Sequence, residues 1–126
     1  MGYPYTEFHQ GKEAPMVNVN VVNSRTREQL SVPALLDTGS EITCIPIWCR
    51  RKIFRYSAGT HCQIKTVSGE IFGGRSVNMT ISVGGTALDN IEAFVLDLPY
   101  ALIGRDVLDH FRITFDGPAH EWFIES

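Results

Sequence analysis

Hydrophobic and polar residues alternate along two stretches of the chain. From residue 17 to 21 valine alternates with asparagine, and from residue 76 to 83 Val, Met, Ile and Val alternate with Ser, Asn, Thr and Ser. A period of two places every second side chain on the same face of a strand. Both stretches are therefore predicted to be β-strands that bury one face.

The segments between the apolar runs have the composition of tight turns. They are Asn23-Ser24, Ser68-Gly69, Gly84-Gly85 and Asp116-Gly117-Pro118. Glycine and asparagine tolerate the positive φ at which hairpins close. Short strands with little helix and no internal repeat predict an all-β domain, either a small closed barrel or a sandwich.

One short helix is predicted after Gly104. Its apolar positions fall on one helical face and are Val107, Leu108 and Phe111. Asp106 lies in its first turn, where a carboxylate complements the helix dipole.

A second helix could begin at Pro46, because the φ of proline is already close to the helical value. The segment contains Ile47, Trp48, Arg50 and Lys52, and its apolar spacing is poor.

Composition indicates one globular domain. The chain has 126 residues, of which 44% are hydrophobic and 20% are charged, far from the composition of a disordered protein. Its formal net charge of −3 produces no basic field, so no nucleic-acid partner is expected. The basic run near the centre is interpreted as a solvated face. It contains Arg50, Arg51, Lys52 and Arg55, with Trp48 and Tyr56 nearby.

Cysteine and histidine spacing gives no sign of a metal site. The three cysteines, Cys44, Cys49 and Cys62, lack the CxxC spacing of zinc sites and are too few for a disulfide framework. We expect reduced thiols, some of them buried. His9, His61, His110 and His120 have no ligand spacing either, and no metal or cofactor is expected.

No apolar run approaches the roughly 20 residues of a membrane-spanning helix, so this chain is expected to have no membrane segment. The sequence does not fix the location of the chain. Reduced thiols favour an intracellular one, and the chain could also be a soluble domain of a larger or membrane-anchored protein.

Candidate chemistry concentrates at Leu35-Leu36-Asp37-Thr38-Gly39-Ser40. An apolar strand ends in a carboxylate, and Thr-Gly then turns sharply, which would hold that carboxylate at the end of a rigid element. Taken alone, the motif also fits an aspartate that caps a turn through its side chain.

A second element follows about sixty residues later. In Ala101-Leu102-Ile103-Gly104-Arg105-Asp106, two large apolar residues precede a glycine. A buried strand that ends in glycine lets another backbone approach closely, and here it could pack behind the Asp37 loop.

The two elements, in this order and at this separation, resemble those of the retropepsin-like aspartic peptidases. The resemblance spans Val17 to Ile124, and the Gly-Arg-Asp sequence and the turn at residues 83–86 look most similar to bacterial and cellular single-domain members. It implies a small closed β-barrel in which Asp37 is catalytic and Thr38, Gly39 and Ser40 support the active-site loop. Thr38 would hydrogen-bond across a dimer axis, and Gly39 would let the two loops approach each other.

The same resemblance assigns three further groups of residues. Glu41 and Arg105 would form a structural ion pair. The hydrophobic-glycine element would be Leu102, Ile103 and Gly104. A β-hairpin flap over the substrate would include Val67, Ser68, Gly69 and Ile71.

An aspartic peptidase needs two carboxyl groups that share one proton. The chain contains one Asp-Thr-Gly, so a homodimer is expected, with one Asp37 from each copy. The ionised carboxyl would activate a water for attack on a peptide bond of an extended peptide or protein. Activity should follow a bell-shaped pH profile on the acidic side.

Ser40 suggests a further role. A hydroxyl beside the two carboxyl groups could donate to an ionised Asp37 oxygen.

Residues 16–126 are expected to form the protease domain, and residues 1–15 an N-terminal arm that could include sequence added for expression. The chain ends in a longer hairpin than the single strand of retroviral proteases. The dimer sheet could therefore come from the last strands, leaving residues 1–15 free. Two alternatives remain open: a catalytically silent dimerisation or peptide-binding domain, and a protease active only when joined to flanking segments.

Overall fold

The structure is a computed structural model that describes residues 2–57, 59–66 and 68–125. Its strands are β1 (Gly2–Pro4), β2 (Thr6–His9), β3 (Lys12–Ala14), β4 (Met16–Asn23), β5 (Gln29–Leu36), β6 (Cys44–Pro46), β7 (Thr60–Lys65), β8 (Ile71–Val83), β9 (Thr86–Leu96), β10 (Ala101–Ile103), β11 (Arg112–Asp116) and β12 (Glu121–Glu125). Its helices are α1 (Ile47–Ile53) and α2 (Arg105–Leu108).

Six strands of the described chain close into a barrel. Hydrogen bonding runs in the order β4, β5, β10, β6, β9 and β8, and β8 then pairs with β4 to complete the circle. β7 pairs with β8 outside this circle. Closure removes most free strand edges, which would otherwise favour edge-to-edge association. The predicted all-β closed barrel is confirmed.

Burial explains the alternation along β4 and β8. Val19 and Val21 of β4 point into the barrel and are almost fully buried. Val77, Met79 and Ile81 of β8 are buried as well, whereas Asn78, between Val77 and Met79, is exposed. Val21 and Ile81 are partners across the pair that closes the barrel. A shift of one residue would turn all of these side chains outward, so the pattern fixes the register.

The predicted turns join consecutive strands. The side chain of Asn23 accepts two backbone N–H groups of the β4–β5 turn at 3.0 and 3.3 Å. Gly84 and Gly85 connect β8 to β9 with φ values of 57° and 85°, a region that glycine adopts without strain. Between β11 and β12, the Asp116 carboxylate accepts a backbone N–H three residues on at 3.1 Å.

Both predicted helices form. α1 follows Pro46 and buries Cys49 and Ile53, which are four residues apart on its inner face. α2 follows Gly104 and buries two apolar side chains, but Phe111 lies beyond its end. No helix in the described residues has the length and apolar run needed to cross a membrane.

The N-terminal segment packs on the C-terminal hairpin. β1 pairs with β12, and the ring of Tyr3 stacks on the fully buried Trp122 with centroids 4.5 Å apart. β2 and β3 form a hairpin of their own. The expectation that residues 1–15 lie free is wrong for residues 2–15, because the Trp122 ring is covered by Tyr3.

Two of the three thiols are buried. Cys44 and Cys49 are almost fully buried, and Cys62 is half-buried. Burial raises the pKa of both buried thiols from 9.0 to about 11, and for Cys44 the negative charges of Asp106 and Asp37 add to this effect. Only the thiolate is a strong nucleophile, so the buried thiols should be inert near neutral pH.

We expect iodoacetamide at pH 8 to modify only Cys62 in the folded protein and all three cysteines in denaturant. Mass spectrometry would count the modified thiols, and a Cys62→Ser variant should show none when folded. Because the two buried thiols ionise more easily in the unfolded chain, stability should fall as the pH rises from 9 towards 11. Modification of Cys44 or Cys49 as fast as that of Cys62 at pH 8 would contradict this assignment.

Candidate active site

Asp37 lies at the point where a buried pair of parallel strands ends. β5 and β10 run side by side, with Ala34 opposite Ala101 and Leu36 opposite Ile103. The backbone N–H of Asp37 continues this ladder by donating to the carbonyl of Ile103 at 2.9 Å. The half-buried Asp37 side chain therefore leaves a backbone that is fixed by hydrogen bonds on the neighbouring strand.

The Asp-Thr-Gly turn orients the carboxylate. The backbone N–H of Gly39 donates to Asp37 Oδ1 at 3.0 Å, and the N–H of Ser40 donates to the Asp37 carbonyl at 3.2 Å. A Cβ on Gly39 would lie 3.3 Å from that carboxylate oxygen, so glycine allows the close contact. Thr38 is exposed at the outer side of the turn.

The structure contradicts the expectation for Ser40. Its hydroxyl donates to the carbonyl of Ile42 at 2.7 Å. A serine hydroxyl has one proton, so it cannot also donate to Asp37. The donor to the carboxylate is instead the Gly39 N–H, and Ser40 stabilises the loop that follows.

The hydrophobic-glycine element packs behind the loop. Leu102 is half-buried, whereas Ile103 and Gly104 are buried. A Cβ on Gly104 would lie 2.4 Å from the carbonyl oxygen of Ile42, although the glycine has an ordinary φ of −90°. Glycine is therefore required here by the space between two backbones and not by an unusual conformation.

A network around Thr43 was missed by the sequence analysis. Thr43 is fully buried; its hydroxyl donates to Asp106 Oδ1 at 2.7 Å, and its N–H donates to Asp106 Oδ2 at 3.1 Å. The same hydroxyl accepts the N–H of Gly104 at 3.1 Å. Sequence alone placed Asp106 at a helix start, where it lies, but no local pattern showed its partner 63 residues away.

The loop carbonyls complete this connection. The N–H groups of Arg105 and Asp106 donate to the carbonyls of Ser40 and Glu41 at 2.8 and 3.2 Å. Arg105 Nη2 also lies 3.3 Å from Glu41 Oε1, so the expected ion pair forms. The Arg105 side chain is about half exposed and that of Glu41 is largely exposed, so the backbone bonds hold the loop more firmly than the ion pair does.

A cavity of about 770 Å³ opens between the Asp37 loop and the β7–β8 hairpin. Residues 39–42 line one side and residues 63–66 the other. The cleft-facing strand of the hairpin is thus β7, whose residues Gln63 and Ile64 the sequence analysis did not assign to the site. In the described residues, no group of three His, Cys, Asp or Glu side chains is arranged to hold a metal ion.

The hairpin tip contains the described residues among those assigned to the flap. The Thr66 N–H donates to the Glu70 carbonyl at 2.8 Å, and Gly69 has a φ of 90°. Ser68 and Gly69 are exposed at the tip, and Ile71 begins β8 with 63% of its surface exposed. Val67 lies outside the described residues.

Comparison with known families agrees with this geometry. The family model described as Aspartyl protease matches residues 17–107, which is more than half of the chain. The chain belongs to the aspartyl protease family. The matched region of this aspartyl protease runs from β4 through the Asp37 loop to α2. No curated protein matches the chain significantly.

Solved structures share the fold of this aspartyl protease. A retropepsin-like aspartic protease from Rickettsia conorii has a TM-score of 0.67 at 16% identity. The match covers 98% of this chain and 89% of the Rickettsia chain. EIAV protease complexed with an inhibitor has a TM-score of 0.53 at 22% identity, with coverages of 83% and 93%. Simian foamy virus protease has a TM-score of 0.50 at 19% identity, with coverages of 74% and 92%. The fold is therefore retropepsin-like.

Gly104→Ala should destabilise this aspartyl protease by about 3 kcal/mol, because the new Cβ meets backbone that cannot move aside easily. Urea unfolding would measure the loss. Gly117→Ala is the matched control, since its Cβ would meet nothing within 4 Å. Equal effects of the two substitutions would contradict the close packing of Gly104 against the loop.

Thr43→Val should cost about 2–4 kcal/mol, because it leaves the buried Gly104 N–H without its acceptor and removes one of the two donors to Asp106 Oδ1. Thr43→Ser keeps the hydroxyl and should cost less than half as much. Urea unfolding of both variants tests the network, and a serine variant less stable than the valine variant would disprove its importance.

Proposed function

We propose that the protein is an aspartic endopeptidase that acts as a homodimer, with Asp37 of each copy forming the catalytic pair. The observation that carries this proposal is the carboxylate of Asp37, held at a strand end by the Gly39 N–H at 3.0 Å. The family match supports peptide hydrolysis in general. The catalytic domain would span residues 16–126, and residues 1–15 would form an N-terminal arm.

We expect a partner chain to supply the second carboxyl of the catalytic pair, because two other aspartates of this chain are already hydrogen-bonded elsewhere. Asp106 is engaged by Thr43, and Asp89 accepts the Thr80 hydroxyl at 2.8 Å. The chain has a single Asp-Thr-Gly turn. A twofold axis beside Asp37 would supply an identical carboxylate with the same orientation.

The reaction requires the two carboxyl groups to share one proton, because like charges about 3 Å apart do not both ionise readily. The ionised Asp37 takes a proton from a bound water, and that water attacks the peptide carbonyl. The protonated Asp37 hydrogen-bonds to the carbonyl oxygen and then supplies a proton towards the leaving amine. Thr38 would link the two loops across the axis, and Gly39 would let them approach.

The cleft between the Asp37 loop and the hairpin suits an extended peptide. β7 is the outer strand of its sheet in the described chain, so backbone groups along that edge are available to a bound strand. Half-buried Ile42 and Ile64 offer apolar contacts to alternating side chains of the substrate. Closure of the tip at Ser68 and Gly69 would exclude water during the reaction.

Asp37→Asn should lower the rate of cleavage of an unfolded protein by at least about 100-fold between pH 4 and 7, because the variant lacks the acid–base pair. A statine-type inhibitor should block the parent protein. The parent should show a bell-shaped pH profile on the acidic side, as expected for two coupled carboxyls. Asp97→Asn makes the same chemical change at an exposed position and should cleave like the parent.

Sedimentation analysis of the same samples tests the dimer. The parent and Asp37→Asn should both sediment as dimers. An active protein that is strictly monomeric would contradict the proposal, and so would cleavage that persists at the parental rate in Asp37→Asn. A parent dimer with no cleavage of any tested substrate would instead identify a silent binding domain.

A further inference from the structure

The positive charges of the chain are concentrated at one end of the barrel. Six of its eleven Lys and Arg residues lie in the β4–β5 turn, in α1 and just after it. This cationic end comprises Arg25, Arg27, Arg50, Arg51, Lys52 and Arg55. The only acid within the two segments is Glu28. The rest of the chain has five cations against thirteen acids, a net charge of −8.

The two segments are joined in the fold although about 25 residues separate them. Asn23 Nδ2 donates to the Ile53 carbonyl at 2.7 Å, and Arg55 Nη1 lies 3.3 Å from Glu28 Oε2. From the sequence, the basic run of α1 alone is interpreted as a solvated face. In the fold, the cations of the turn lie on the same surface as those of α1. Together the two segments create one continuous positive field.

Most of these cations have no internal role. The side chains of Arg25, Arg27, Arg51 and Lys52 are exposed, and none has a hydrogen-bond or ion-pair partner among the described residues. Like charges held close together repel one another, so a bound polyanion would relieve this repulsion.

An exposed aromatic ring lies beside the cations. Tyr56 is 83% exposed, and the guanidinium of Arg55 lies over its ring at 5.1 Å from the centroid. An adjoining cavity of about 580 Å³ is lined in part by Ser24, Thr26 and Asn78. Hydroxyl and amide groups of this kind can hydrogen-bond to the edges of unpaired bases.

The apolar surface of α1 argues against a membrane as the partner. A membrane-surface helix needs an apolar face to enter the lipid, but Cys49 and Ile53 of this seven-residue helix are buried in the barrel core. An acidic peptide would neutralise the cations yet would make no use of the stacking surface of Tyr56.

We propose that the cationic end is a binding surface for single-stranded nucleic acid, with phosphates against the four unpaired cations and a base stacked on Tyr56. Positive charge beside an accessible aromatic ring is the combination by which proteins bind single strands with little sequence preference. The proposal does not depend on the peptidase. β5 separates this surface from Asp37 by eight residues, or about 26 Å of extended strand.

Fluorescence anisotropy with labelled single-stranded RNA and DNA oligonucleotides, over a range of salt concentrations, tests the charges. Each phosphate contact contributes about −0.7 to the slope of log affinity against log salt. Arg25→Gln/Arg51→Gln/Lys52→Gln should therefore make the slope less negative by about 2 and weaken binding at least 10-fold.

A triple variant with the same net charge is the control. Lys12→Gln/Lys65→Gln/Arg112→Gln also removes three exposed cations, so that both variants have a formal net charge of −6. The control should bind like the parent. An equal loss in both variants, or no saturable binding by the parent protein, would overturn the proposal.

Variants of Tyr56 distinguish nucleic acid from other polyanions as the ligand of this surface. Tyr56→Leu should weaken oligonucleotide binding at least 5-fold without changing the salt slope, and Tyr56→Phe should bind like the parent. Polyglutamate should compete poorly, and vesicles containing phosphatidylserine should bind weakly. Binding to polyglutamate or to vesicles that equals or exceeds binding to the oligonucleotide would overturn the assignment to nucleic acid.

Discussion

The hydrogen bonds between the Asp37 loop and residues 103–106 are the constraint on which the site depends. The first N–H groups of a helix have no partner within the helix. Those of Arg105 and Asp106 donate to the carbonyls of Ser40 and Glu41, which belong to a loop whose own carbonyls also need partners. Each segment satisfies groups that the other would leave unpaired, so the loop and α2 are stable together.

This arrangement follows from placing β5 and β10 in parallel. The carboxyl ends of neighbouring parallel strands lie at the same edge of a sheet, so Asp37 and Gly104 leave that edge side by side. The missing Cβ of Gly104 then lets the backbone of Ile42 approach, and Thr43 fills the space beside it. The position of the carboxylate thus results from packing between backbones more than from any charged contact.

Local sequence was sufficient to predict the elements whose conformation depends mainly on neighbouring residues. Strict alternation predicted β4 and the inner half of β8, because a period of two leaves few other folds for a valine-rich segment. The turn at Gly84 and Gly85 was equally clear, since both residues adopt positive φ. The Asp37 motif and the hydrophobic-glycine element that ends at Gly104 were found because each has a distinctive residue order.

Contacts between distant residues could not be predicted in this way. Nothing near Thr43 indicates that Asp106 is its partner, and nothing near Tyr3 indicates that it covers Trp122. The Ser40 hydroxyl was assigned to the wrong acceptor because the carbonyl of Ile42 and the carboxylate of Asp37 are both within sequence reach. Similarly, the turn at residues 24–28 joins the surface of α1 only in the folded chain.

The length of β8 has a mechanical consequence for the hairpin. Its first residues, 71–76, pair with β7, whereas residues from Ser76 onward pair with β9 and then with β4 inside the barrel. β8 is therefore one continuous strand that belongs both to the closed barrel and to the hairpin that projects from it. A bend near Ser76 would therefore move the hairpin relative to the barrel and change the width of the cleft while leaving the ladders of the barrel intact.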